Sequence, residues 1–157
     1  MKKYKKALPF IIGILIPLAL GGLSALLTKN DMEVYGTVTQ PPLSPPAAIF
    51  PIAWTILYTL MGIASALVWR ERHTKQRESG LVLYGLQLIL NFFWTFVFFS
   101  AREYWFAFGW LIALLIAVIL TTVFFKKVSK PAFLLMLPYI AWLLFAAYLN
   151  LGVAVLN

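Results

Sequence analysis

Apolar residues fall into five long runs along the chain, separated by short polar breaks. A helix needs about 20 apolar residues to cross the hydrocarbon core of a bilayer. The runs at 7–27, 47–69, 80–100, 105–125 and 132–156 each meet that length. The pattern predicts an all-α integral membrane protein: a five-transmembrane-helix bundle forming a single domain over residues 1–157. The first run has a basic start, as a signal peptide does. It is longer than a typical signal core and lacks a clear small-residue cleavage site, so it reads as an uncleaved helix.

Composition strengthens this picture. The chain is 62% hydrophobic and only 11% charged, with a mean hydropathy of +0.89. A soluble domain of this size cannot bury so much apolar surface. The charges sit in the breaks, and their signs are sorted. Of thirteen Lys and Arg, eleven lie before the first run, between the second and third, or after the fourth. Only Lys29 and Arg102 fall at the other end. The positive-inside rule then predicts a cytoplasmic N-terminus and an outside C-terminus. The net charge of +8 is explained by these basic loops, and no nucleic-acid partner is expected. The short basic N-terminus without a cleavable presequence points to a bacterial plasma membrane.

Chemistry is constrained by what the runs lack. There is no cysteine, so neither a disulfide nor a thiolate metal site can form. Asp31, Glu33, Glu71, Glu78 and Glu103 all lie in the breaks, as does the single histidine, His73. No metal site and no acid–base constellation is therefore expected inside the bundle, and no intramembrane charge is available for ion pumping.

Aromatic and amide residues instead line up at three- and four-residue steps, which places each set on one helix face. The sets are Trp54, Tyr58, Met61, Ser65 and Trp69; Tyr84, Gln87, Asn91, Trp94 and Phe98; and Tyr139, Trp142, Ala146 and Asn150. At ~1.5 Å per residue, Trp54, Asn91, Ala146 and Trp142 lie roughly 10, 13, 15 and 20 Å below the outer ends of their helices. Those depths overlap, which predicts an aromatic-walled pocket in the outer half of the bundle. Its roof would be the connector 28–46, stiffened by Gln40-Pro41-Pro42-Leu43-Ser44-Pro45-Pro46; a plain helix stop is the other reading of that proline run. Trp69, Tyr104, Trp105 and Trp110 near helix ends fit interfacial anchors. Gln87 and Asn91 fit either a ligand site or hydrogen bonds between helices. The small-residue stripes Gly13/Pro17/Gly21 and Gly109/Ala113/Ala117 fit close packing within the bundle or a dimer seam. The pocket suits a large, flat, apolar ligand.

The motifs carry a resemblance. Pro42-Leu43-Ser44-Pro45-Pro46, Phe50-Pro51-Ile52-Ala53-Trp54-Thr55-Ile56-Leu57-Tyr58, Gln87, Leu90-Asn91, Trp94 and Leu137-Pro138-Tyr139-Ile140-Ala141-Trp142 occur in this order. With Phe145-Ala146 and Leu149-Asn150, they resemble the TspO/MBR family of translocator proteins, tryptophan-rich sensory proteins and peripheral-type benzodiazepine receptors. The resemblance covers residues 35–157, and the first helix by position alone. It implies a five-helix bundle, often a homodimer, that binds porphyrins, sterols and drug-like hydrophobic ligands. It implies a ligand site at Trp54, Tyr58, Asn91, Trp94, Trp142 and Ala146, no required cofactor, and protoporphyrin IX as ligand or substrate. A receptor, sensor or carrier is the expected role. The alternative it carries is a light- and oxygen-dependent protoporphyrin IX-degrading enzyme using Trp54 and Trp142. Three departures stand out: Leu43 replaces a tryptophan common before the Pro-Pro turn, the C-terminal sterol motif of animal members is missing, and Lys29 is the only nearby outer cation for porphyrin propionates.

Overall fold

The computed structural model describes residues 2–157. It is all-helical, with helices α1 (Lys2–Leu27), α2 (Val34–Thr37), α3 (Ile49–Trp69), α4 (Lys75–Thr95), α5 (Tyr104–Val128) and α6 (Lys130–Leu156). A π-helical turn, Phe96–Ser100, continues α4. Among the described residues, five helices are long and apolar enough to cross a membrane: α1, α3, α4 with its π turn, α5 and α6. The protein is an integral membrane protein.

The helices exceed the apolar runs mainly at the basic end, because polar caps continue them beyond the lipid-facing stretch. Thr74 accepts a bond from the backbone N–H of Arg77, and Ser129 accepts one from Ala132. Each satisfies an otherwise orphaned donor of a first turn. Arg77 is almost fully buried. Its Nε and Nη2 donate to the Trp69 carbonyl at the end of α3, and its guanidinium lies 4.8 Å from the centre of the Trp69 ring. Pro17 and Pro138 both lie inside helices that continue past them.

Around the bundle the order is α1, α3, α6, α5, α4, with a thin seam closing α4 back on α1. Glycine makes the α1–α3 contact possible. A Cβ on Gly13 would stand 2.7 Å from the Gly62 carbonyl oxygen, and one on Gly21 would collide with the Tyr58 ring. The Gly13/Pro17/Gly21 stripe is thus used within the bundle. The second stripe behaves differently: Ala117 is buried, but Gly109 and Ala113 are exposed and nothing approaches Gly109.

Most of the core runs along α3, α4, α5 and α6, with Met61, Leu111, Leu114, Val118, Phe125, Met136, Tyr139 and Leu143 almost fully buried. Apolar side chains on the outer faces, such as Ile11, Leu15, Ile56, Ile89, Ile116 and Leu144, remain exposed. That inside-to-outside distribution suits lipid as the solvent.

Candidate functional site

The halves of α1, α3, α4 and α6 nearest the connector 28–46 surround a cavity of about 370 Å³. Trp54, Tyr58, Asn91, Trp94, Trp142 and Ala146 all line it. These are the six residues that the resemblance implies; of the spaced sets, Phe98 and Asn150 also line the cavity, whereas Met61, Ser65, Trp69, Tyr84, Gln87 and Tyr139 do not. Several lining residues escaped the sequence reading. Gly22, Ala25 and Tyr35 carry no periodic signal, Phe50 was seen only as part of a motif, and Phe99 joins through the π turn. Lys29 does not line the cavity.

The walls are a set of interlocked rings. Trp54 stacks on Tyr58 with centroids 5.3 Å apart, and meets Trp142 edge-on at 6.4 Å and Tyr139 at 6.1 Å. Phe50 meets Trp142 at 6.0 Å, and Tyr35 meets Phe50 at 5.0 Å. Across the cavity Trp94 stacks on Phe98 at 5.2 Å. Offset and edge-to-face contacts of this kind fix ring orientation and leave flat faces for a flat ligand.

Polar groups are few, and most are held by hydrogen bonds. The Trp94 indole donates to Asn150 Oδ1 at 3.1 Å, and Asn150 Nδ2 donates to the Tyr104 carbonyl at 2.9 Å. The Tyr58 hydroxyl donates to Asn91 Oδ1 at 3.0 Å, Asn91 Nδ2 to the Tyr139 hydroxyl at 2.7 Å, and Tyr139 to Gln87 Oε1 at 2.8 Å. Asn91 ties α3, α4 and α6 together and also lines the cavity. The Trp142 Nε1 has no partner although the atom is buried. An unpaired buried N–H is costly and awaits an acceptor.

Of the connector 28–46, Met32 and Tyr35 line the cavity, and no residue of the proline run 40–46 does. Residues 40–46 form no helix, whereas the upstream part of the same connector includes the short α2. Leu43 sits at φ 68°, in the left-handed region of a tight turn closed by Ser44 Oγ donating to the Pro41 carbonyl. Its side chain is 85% exposed, so it makes no contact with the cavity. The roof is tied to α6 at three points: Asn157 exchanges two bonds with the Thr39 backbone, the Tyr148 hydroxyl donates to the Pro42 carbonyl, and Gly152 leaves room for the Pro41 ring. Tyr35 donates to the Pro45 carbonyl, and burial raises its phenol pKa against a smaller lowering by Ser44. At the opposite rim, Ser100 donates to Asp31.

Of the four expected anchors, Trp69 and Trp105 are exposed. Trp110 is not a free anchor: it is half-buried and its indole donates to the Leu90 carbonyl at 2.7 Å, joining α5 to α4. Tyr104 is likewise engaged, through its carbonyl and its ring contact with Phe98. Among the described residues no group of His, Asp and Glu converges to hold a metal ion.

Comparison with known proteins agrees with this geometry. The pattern of the TspO/MBR family matches residues 13–156. The chain is similar to the tryptophan-rich protein TspO of Chlorobaculum tepidum, at 35% identity over 100% of this chain and 99% of that one. It is 37% identical to the protein of the same name in Archaeoglobus fulgidus, over 96% of this chain and 97% of the other. It is 38% identical to the human translocator protein, over 81% of this chain and 76% of the other. A cavity walled by the motif tryptophans, in a five-helix bundle matched almost end to end, settles the relationship: the chain belongs to the TspO/MBR family.

Proposed function

We propose that this protein is a membrane receptor, sensor or carrier that binds porphyrins, with protoporphyrin IX as the representative ligand, in the aromatic cavity under the first outer connector. The observation that carries the proposal is the cavity itself: Trp54, Tyr58, Trp94 and Trp142 wall it, and few polar groups interrupt them. Its volume falls within the range of small-molecule sites. Gly22 and Ala25 line it and are also exposed, so the cavity opens between helices and a flat ligand can extend past its rim. Other flat, drug-like hydrophobic ligands meet the same requirements. No cofactor is needed for such binding, and a homodimer in a bacterial plasma membrane is the proposed assembly and setting.

The test is quenching of tryptophan fluorescence by protoporphyrin IX in the dark, on the detergent-purified protein. Saturable quenching that weakens in Trp142→Phe supports the proposal. Quenching that never saturates, or that is identical in the wild type and in Trp142→Phe with Trp54→Phe, counts against it.

A second reading has its own observation. Trp54 and Trp142 meet within 6.4 Å on the cavity wall, where an excited porphyrin could exchange electrons with indole in the presence of oxygen. In this reading both are catalytic, and protoporphyrin IX is the substrate. Loss of the porphyrin absorbance bands under light, abolished in the double Trp→Phe variant, supports degradation. Equal loss in wild type and variant refutes it.

A further inference from the structure

A threonine inside a helix can satisfy its hydroxyl by donating to the carbonyl four residues back. Thr55, Thr59, Thr121 and Thr122 all do so, at 2.7–2.8 Å. Thr95 does not. It is the last residue of α4 before the π turn, it is 8% exposed, and it lines the cavity. Its hydroxyl makes no hydrogen bond among the described residues. Nor is it one of the unpaired polar atoms sealed inside the protein, which are the Tyr84 hydroxyl and the Trp142 Nε1. The hydroxyl is therefore both free and open. Successive helix residues turn by ~100°, so the exposed Phe93, two residues earlier, occupies nearly the opposite face. The side on which Thr95 opens is the cavity.

The other hydroxyls of the wall have committed their protons. Ser24 donates to the Gly21 carbonyl, Tyr35 to Pro45, Thr55 to Pro51 and Tyr58 to Asn91. Asn91 keeps a second amide proton, but it lies one turn deeper. No charged side chain lines the cavity. Thr95 stands five residues before the exposed Ser100, roughly 7 Å along the helix. A polar group held there sits near the mouth, where water still reaches the rest of it. We infer that Thr95 determines specificity by donating a hydrogen bond to an oxygen of a carboxyl group on the edge of the ligand. This rests on the porphyrin reading and deepens it, because it names the edge that is recognised. Both propionates of protoporphyrin IX leave the same side of the ring on flexible two-carbon arms. A carboxyl can therefore turn to meet the hydroxyl while the ring lies flat against the aromatic walls. The acid edge points toward the roof, and the opposite edge goes deeper. The site then prefers a carboxylated tetrapyrrole over one with alkyl groups at the same positions.

The experiment measures dark fluorescence quenching by mesoporphyrin IX and by etioporphyrin III, which carries ethyl groups in place of the two propionates. Both are planar free bases, so stacking on the walls is common to them. Each variant is compared with the wild type for the same compound, which cancels differences in partition into detergent. Thr95→Val keeps the branched shape and removes the hydroxyl. It should weaken mesoporphyrin IX about 3- to 10-fold, the worth of one hydrogen bond, and leave etioporphyrin III unchanged. Thr95→Ser keeps the hydroxyl and should bind both compounds as the wild type does. Thr95→Val should also melt no earlier than the wild type, because its hydroxyl had no partner in the protein to lose. Mesoporphyrin IX bound equally by Thr95→Val and the wild type overturns the inference while leaving porphyrin binding intact. Equal weakening of both porphyrins in Thr95→Val, or no recovery in Thr95→Ser, does the same, since shape rather than the hydroxyl would then matter. No saturable quenching of the wild type by either compound overturns the porphyrin reading and this inference with it.

Discussion

Asn91 shows how one side chain can serve both packing and a site. It accepts from Tyr58 and donates to Tyr139, so it joins α3, α4 and α6 at the depth of the cavity floor. Replacing it with leucine leaves the Tyr58 hydroxyl without its partner in a low-dielectric interior. Interhelical bonds of this kind are worth about 1–2 kcal/mol in a membrane. Asn91→Leu should therefore lower stability by about that amount, read as an earlier transition in detergent denaturation followed by circular dichroism. It should also weaken porphyrin quenching, whereas Ile89→Leu on the exposed face of α4 should change neither. Equal behaviour of the two variants would remove Asn91 from the floor. The position was legible in the sequence, because three- and four-residue spacing puts Gln87, Asn91 and Trp94 on one face. The partners were not. Spacing along one helix says nothing about which residue of another helix stands opposite, so Trp110 read as an anchor although it bonds to Leu90. Tyr139 likewise read as one more aromatic of a stripe, although it stands behind the wall.

Helices are where small residues acquire different meanings. The two stripes look alike in sequence, yet Gly13 and Gly21 are covered by α3 and Gly109 is covered by nothing. For the first stripe, Gly13→Val places carbon against the Gly62 carbonyl, a backbone atom that can move only by separating α1 from α3. Overpacking of this kind costs about 1–3 kcal/mol. The variant should melt earlier, and Gly62→Val should do the same; neither effect should appear in Gly22→Val, where nothing lies within 4 Å. For the second stripe, the exposed Gly109 and Ala113 offer a close-packing face that the bundle leaves free, as a homodimer would need. If the proposed homodimer forms through this face, Gly109→Leu should shift the protein toward monomer in light-scattering measurements after size exclusion, with its melting unchanged. A dimer that survives the substitution places the seam on another helix. The π turn at Phe96–Ser100 was illegible for a physical reason. Its sequence, Phe-Val-Phe-Phe-Ser, suits an ordinary α turn equally well, and the spacing carries no sign of the contacts that Phe98 makes with Ala107 of α5 and Val153 of α6.

At the scale of the whole molecule, the bundle has two chemically different ends. One end gathers the start of α1, the connector between α3 and α4, and the turn between α5 and α6. Eleven of the thirteen Lys and Arg belong to these regions or to the helix turns flanking them. The other end carries the cavity roof, the connector before α5, and Asn157 bonded to Thr39. The bond between Asn157 and Thr39 brings the C-terminal end of α6 to the roof side, as an odd number of crossings requires. A bias of this size in short loops sets orientation during insertion, because basic residues are retained in the cytoplasm. The roof should therefore face outward and the cavity should take its ligand from the outer half of the bilayer. The chain contains no cysteine, so single substitutions report side without background. Thr37→Cys lies at the roof end and Lys75→Cys at the basic end. In intact cells, a membrane-impermeant maleimide should label Thr37→Cys and leave Lys75→Cys untouched until the membrane is opened. The reverse pattern would put the cavity on the cytoplasmic side, and charge would then have failed to orient this bundle. Labelling of both variants in intact cells would indicate two insertion orientations, a result that should collapse to one when Lys29 and Arg102 are replaced by glutamine, since those are the only basic residues opposing the bias.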